Sequence, residues 1–246
     1  MINTLQGFWW KDYIRLGKLH KKYGKGEGKS VLVIDSGINL VPGLENVVSL
    51  PKLSPGDVPG DNSQVGHGTL VTSIIKMIAP DCLLHVLDVE AGNLSYDQQG
   101  HEWAASNYDK YKWDVINISR VSGSTHEHKE PLSYLNRKGV VICACTGNQG
   151  FPQPEYPAYW SKANMLIAVG ACDKKGKKLA WSNAGEDVLL PGIDIKCLWK
   201  NPPPKWTRAQ GTSLASPIAA GMIACWSGGA NTITEAKEFL KRWMEK

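Results

Sequence analysis

Short apolar runs rich in valine and isoleucine recur along the chain: Val31 to Ile34, Leu83 to Leu87, Val115 to Ile118, Val140 to Ala144, Leu166 to Val169 and Val188 to Leu190. They lack the polar–apolar alternation of a half-solvated strand, so they read as strands buried on both faces. Between several of them lie segments long enough for helices, namely Leu70 to Ala79, Tyr96 to Tyr108 and Glu130 to Lys138. Strands alternating with helices predict an α/β chain whose mainly parallel sheet is covered by helices on both faces. The 246 residues fit one large domain, 1–246, with no linker or internal repeat to divide it.

Two helices follow near the end of the chain. One starts after Ser213, with Thr212 as N-cap and Pro217 accommodated in the first turn, where no N–H is needed, and it ends before Gly228-Gly229. The other, Thr234 to Met244, sets Ile233, Ala236, Phe239, Leu240 and Trp243 on one side for packing.

Three glycine-containing segments carry chemistry: Val33-Ile34-Asp35-Ser36-Gly37, Gly66-His67-Gly68-Thr69 and Gly211-Thr212-Ser213-Leu214-Ala215-Ser216-Pro217. They supply an Asp, a His and a Ser in that order. A hydroxyl is a poor nucleophile at neutral pH, so a serine that attacks carbonyls needs an imidazole to take its proton and a carboxylate to orient that imidazole. Asp35 directly follows an apolar strand, which places it at the carboxyl end of a parallel sheet, where α/β proteins build sites. His67 lies between glycines that leave room for a substrate, and Ser213 begins a helix whose N–H groups carry partial positive charge.

In these segments the chain resembles the subtilisin-like serine proteases, the subtilases, in which the triad has this order. Cys145-Thr146-Gly147-Asn148-Gln149-Gly150 resembles the family's oxyanion-hole segment, and Val115-Ile116-Asn117-Ile118-Ser119 the strand leading to its substrate-binding edge. The resemblance runs from about Trp9 to the helix after Ser213, and it implies the subtilisin-like three-layer fold. By resemblance, Asp35 fixes the tautomer of His67, His67 acts as general base and then acid, and Ser213 is the nucleophile. The Ser213 N–H and the Asn148 amide would be the oxyanion donors. The implied activity is hydrolysis of peptide or protein substrates without an organic cofactor. Two alternatives stay open: a peptide ligase or macrocyclase using the same triad, and a non-catalytic peptide-binding module.

The resemblance also places a substrate groove. Its edge is Ser119-Arg120-Val121, where Val121 replaces a glycine and narrows the groove and Arg120 brings a positive charge. The opposite wall of the S1 pocket is Cys145-Thr146-Gly147, with Glu155, just before Tyr156-Pro157, near the floor. A carboxylate there favours Lys or Arg at P1; the competing reading is a solvent-facing loop glutamate. Ala79-Pro80-Asp81-Cys82 joins the histidine helix directly to the next strand, so no family-type calcium site, and no metal, is expected at that loop. Phe8 to Leu16 is expected to form a short helix packing on the domain, rather than an amphipathic membrane-surface element.

Charge and cysteine usage narrow the class further. The net charge of +5 is scattered, which predicts a solvated basic surface rather than a nucleic-acid-binding face. No stretch reaches the length of a membrane span, and the N-terminus has no basic region leading an apolar run, so a soluble, cytoplasmic protein is expected. The six cysteines lack CxxC spacing and read as buried free thiols of a reducing compartment. His20, His85, His101, His126 and His128 are assigned structural roles, and nothing in the sequence sets the oligomeric state.

Overall fold

The computed structural model describes residues 7–53, 60–61, 63–89, 94–122, 129–201, 205–226 and 232–245; His126, His128 and Gly228-Gly229 lie outside these. The apolar runs become the strands β1 (Ser30–Asp35), β3 (Leu83–Asp88), β4 (Val115–Ile118), β5 (Val141–Cys145), β6 (Ile167–Cys172) and β7 (Val188–Pro191). Together with β2 (Val48–Lys52) they form a seven-stranded sheet in the order β2-β3-β1-β4-β5-β6-β7, and every pairing is parallel. β1, β4, β5 and β6 are buried along their whole length, the condition that made them visible as continuous apolar runs.

Alternation along a strand sorts the core into two layers. Val31 and Val33 of β1 face a cluster with α3 (His67–Ile78) and α6 (Thr212–Cys225), while Leu32 and Ile34 face the opposite cluster beneath α4 (Leu94–Tyr111) and α5 (Lys129–Arg137). Each fully buried aliphatic side chain contributes roughly 1.5–3 kcal/mol. The same alternation turns Asp35 toward the α3/α6 side. After β1 the chain builds β2 and β3 to one side, and with β4 it crosses to the other, so the carboxyl ends of β1 and β4 flank a topological switch point.

Remaining segments pack around this frame. The N-terminal stretch forms α1 (Trp9–Tyr13) and α2 (Leu16–Tyr23); Trp10 is fully buried, and the indole N–H groups of Trp9 and Trp10 donate to the carbonyls of Asp194 and Lys196. α7 spans Ile233–Met244, one residue earlier than expected, because Thr232 caps it by accepting the Glu235 N–H. A two-stranded antiparallel ribbon, β8 (Ile195–Leu198) and β9 (Trp206–Ala209), lies outside the main sheet. All six cysteines are buried and unpaired. Among the described residues, no helix is long and apolar enough to cross a membrane.

Candidate active site

Asp35 closes β1 at the switch point and is completely buried. Its Oδ1 accepts hydrogen bonds from His67 Nδ1 and from the Ser36 N–H, both at 2.8 Å. An ionised carboxylate only accepts, so Nδ1 carries the proton and Nε2 is left as the acceptor. Burial opposes charge on His67, but Asp35, their hydrogen bond and the charge of Asp61 outweigh it and hold the imidazole pKa above the usual value. Burial likewise works against the Asp35 carboxylate, and His67, Arg120 and the Ser36 N–H more than compensate, bringing its pKa down. His67 can start α3 this close to β1 because residue 68 has no side chain: a Cβ there would lie 2.0 Å from the Gly37 carbonyl oxygen.

Ser213 is the second residue of α6, so its N–H has no acceptor within the helix. Thr212 is not the N-cap that the sequence suggests. Gly211 precedes the helix, and the Thr212 N–H and Oγ1 both donate to Asn148 Oδ1 at 2.9 Å. Those two donors orient the Asn148 amide, leaving its Nδ2 directed elsewhere. A Cβ built on Gly211 would sit 3.0 Å from Ser213 Oγ and 3.5 Å from Asn148 Nδ2, so hydroxyl and amide flank the same point.

Pro217 also departs from expectation. It lies inside α6, beyond the first turn, where its missing N–H leaves the Ser213 carbonyl without a helical donor. Ser119 Oγ supplies the replacement, donating to that carbonyl at 2.7 Å, while Asn117 Nδ2 donates to Ser119 Oγ and Asn117 Oδ1 accepts from Ser216 Oγ. The end of β4 is thereby tied to the serine's own peptide unit.

Toward the expected groove, Arg120 is not a free charge. Its side chain is 12% exposed and its Nε donates to Asp97 Oδ1 of α4 at 2.5 Å, which neutralises it within the protein. Val121 is half-buried. Cys145 and Thr146 are buried, and burial pushes the Cys145 thiol up to about 12. Glu155 is half-buried against this wall: a Cβ at Gly147 would lie 2.2 Å from its Oε2, which accepts from Asn183 Nδ2 at 3.2 Å. Burial raises the Glu155 pKa, with the Asn183 hydrogen bond opposing. α3 ends at Ile78 and β3 begins at Leu83, and among the described residues no three His, Cys, Asp or Glu side chains are grouped to hold a metal ion.

His67 and Ser213 Oγ make no hydrogen bond to each other here, as is common in substrate-free sites, where such contacts tighten on binding. The helices that carry them pack closely: a Cβ at Gly221 of α6 would meet Ile78 of α3 at 2.9 Å. His20 and His85 sit apart from this site, His20 Nε2 against the Ile78 carbonyl and His85 beside Tyr111 and Trp113, and His101 is buried in α4. Sequence reading overlooked Asp61, a buried carboxylate at the start of the histidine segment, and Asn117 and Asn183, whose amides brace the two groove walls. Asp61 and Asn183 lie in no motif, and Asn117, although within the Val115-to-Ser119 segment, shows its role only through Ser216, 99 residues on.

The structure thus holds a bonded acid–imidazole pair at the switch point of a parallel sheet, and a helix-borne hydroxyl beside the Asn148 amide. The chain belongs to the subtilase family: the family model described as Peptidase_S8, subtilase family, matches residues 26–246. It is similar to M-protease of Shouchella clausii, 30% identical over 232 residues that cover 88% of this chain and 58% of that protein. With Subtilisin Savinase of Lederbergia lenta the identity is 30% over 88% of this chain and 82% of that protein. With Subtilisin E of Bacillus subtilis it is 31% over 86% and 58%. The chain thus spans little more than half the length of several relatives it matches. In fold it is similar to a cold-adapted subtilisin-like serine proteinase of known crystal structure, with TM-score 0.75, 23% identity, and 89% and 82% of the two chains covered.

Proposed function

We propose that the protein is a serine endopeptidase that hydrolyses peptide bonds through an acyl-enzyme on Ser213. The observation that carries this reading is the fully buried Asp35 carboxylate bonded to His67 Nδ1, which leaves Nε2 free to act as a base. His67 takes the Ser213 hydroxyl proton as Oγ attacks the substrate carbonyl. The oxyanion of the tetrahedral intermediate is held by the Ser213 N–H and Asn148 Nδ2. His67 then donates its proton to the departing amine, and water, activated by the same ring, releases the acid and regenerates Ser213.

Substrate would lie as an added strand along Ser119-Arg120-Val121, with its P1 side chain against Cys145-Thr146-Gly147. Glu155 gives this pocket restricted specificity for Lys or Arg, a reading supported by the position of its Oε2 at the Gly147 wall and by the pairing of Arg120 with Asp97, which removes a competing cation. The buried, unpaired cysteines support work in a reducing compartment such as the cytoplasm. The test is incubation of the 246-residue chain with a P1-varied peptide library and mass analysis of products. Cleavage abolished in Ser213→Ala supports hydrolysis, joined products support the ligase, and retention of intact peptide by the unmutated chain supports the binding module.

A further inference from the structure

We propose that Asp61 is a positioning residue that locks the Asp35 and His67 segments together by taking the protons of three hydroxyls, each of which then receives a backbone N–H of the site. Its carboxylate is buried and accepts five hydrogen bonds. Oδ1 takes the Ser36 hydroxyl at 2.9 Å, the Ser63 hydroxyl at 3.1 Å and the Ser63 N–H at 3.2 Å. Oδ2 takes the Thr69 hydroxyl and the Thr69 N–H, both at 2.7 Å.

A hydroxyl has one proton, and once that proton is committed its lone pairs face the other way. Ser36 Oγ accepts the Gly68 N–H at 3.1 Å, Ser63 Oγ accepts the His67 N–H at 2.5 Å, and Thr69 Oγ1 accepts the Asn39 N–H at 3.0 Å. The first N–H groups of α3, on His67, Gly68 and Thr69, therefore all end on Asp61, directly or through one hydroxyl. This replaces the missing cap: Gly66 precedes α3 and has no side chain to offer.

Ser36 Oγ also lies 3.3 Å from Asp35 Oδ1. With its proton drawn to Asp61, that oxygen of Asp35 is left to His67 and the Ser36 N–H. The negative charge of Asp61 is also felt by the imidazole, in the same sense as that of Asp35. Among the described residues, the other charged groups around this cluster are Arg120, the Asp88 carboxylate against Gly37, and Lys200, whose Nζ donates to the Ser63 carbonyl.

The inference rests on the catalytic reading of Asp35, His67 and Ser213, and the experiment separates the two. The full chain and Asp61→Asn are compared in steady-state peptide hydrolysis across pH, with amide hydrogen exchange of residues 67–69 as a readout independent of turnover. In Asp61→Asn, kcat is expected to fall about 30-fold with KM within about twofold. The acid limb of kcat/KM moves down by several tenths of a pH unit as a negative charge near the imidazole is lost. Exchange at residues 67–69 accelerates at least about tenfold. An unmutated chain without hydrolysis ends the catalytic reading, and exchange then decides this one alone. Unchanged kcat, an unmoved acid limb in an active variant, or unchanged exchange overturns it. If Asp61→Asn fails to fold, Ser63→Ala and Thr69→Val are measured instead; each is expected to lower kcat about three- to tenfold at constant KM, and indifference in both overturns the inference.

Discussion

Ser119 Oγ donates to the carbonyl of Ser213 at 2.7 Å, in the place that a helical N–H would occupy if residue 217 were not proline. A helix-breaking residue is thus tolerated because a neighbouring strand supplies the lost donor, and the nucleophile's peptide unit is fastened to the substrate-binding edge in the same bond. Ser119→Ala leaves that carbonyl and Asn117 Nδ2 without partners and should cost about 1–3 kcal/mol of stability. In a Pro217→Ala background an N–H returns to the carbonyl, so the cost of Ser119→Ala should shrink by about 1 kcal/mol. Denaturant unfolding of the four proteins of this cycle measures the coupling, and additive losses would contradict the compensation.

Asp35→Asn addresses the acid–imidazole pair. His67 has a raised pKa in the folded chain, so the stability it adds is fully present below the unfolded value of about 6.5 and is lost as pH rises through the folded one. Asp35 behaves oppositely: its depressed pKa adds stability above the unfolded value of about 3.9, lost as pH falls through the folded one. Activity needs the neutral ring and therefore rises with pH through the His67 titration. Without the carboxylate, burial dominates and the imidazole pKa drops, so the acid limb of kcat/KM should move to lower pH. The wrong tautomer meanwhile lowers kcat by roughly 10⁴. A pH–rate profile of the variant reads both effects.

Asn148→Ala should lower kcat by about 10²–10³ with little change in KM, the range found when subtilisin loses its side-chain oxyanion donor. Thr212 loses its acceptor in the same variant, so Asn148→Asp serves as a companion: it keeps the oxygen that Thr212 needs, removes the donor and sets a negative charge against the oxyanion. A kcat loss in the aspartate variant at least as large as in alanine assigns the effect to the oxyanion, whereas a loss confined to alanine assigns it to the Thr212 contact.

Glu155→Gln should reduce kcat/KM for substrates with Lys or Arg at P1 by about 10- to 100-fold while leaving uncharged P1 residues within about threefold. Competition between P1-lysine and P1-leucine peptides gives the ratio directly.

The sheet was legible wherever burial on both faces made a strand wholly apolar, as in Val31 to Ile34 and Val115 to Ile118. β2 escaped notice because it is an edge strand that includes Pro51 and exposes most of its residues, so it has no apolar run to show. The β8–β9 ribbon was hidden for a similar reason, with Lys196, Thr207 and Arg208 interrupting its pattern. At the site, glycine-flanked Asp35, His67 and Ser213 stood out as local motifs. Asp61 and Asn117 did not, because what distinguishes them is the hydroxyl that each receives from a distant segment, Ser36 for Asp61 and Ser216 for Asn117, which only the folded chain brings together. Helix-end preferences suggest Thr212 as an N-cap and Pro217 in a first turn, and tertiary partners on other segments override both.

Titration with a fluorophosphonate, followed by peptide mapping of the adduct, tests the serine chemistry most directly. One equivalent of label per chain is expected, carried on Ser213 and prevented by His67→Ala. A chain that stays unlabelled when folded, or that takes the label at another residue, contradicts the account.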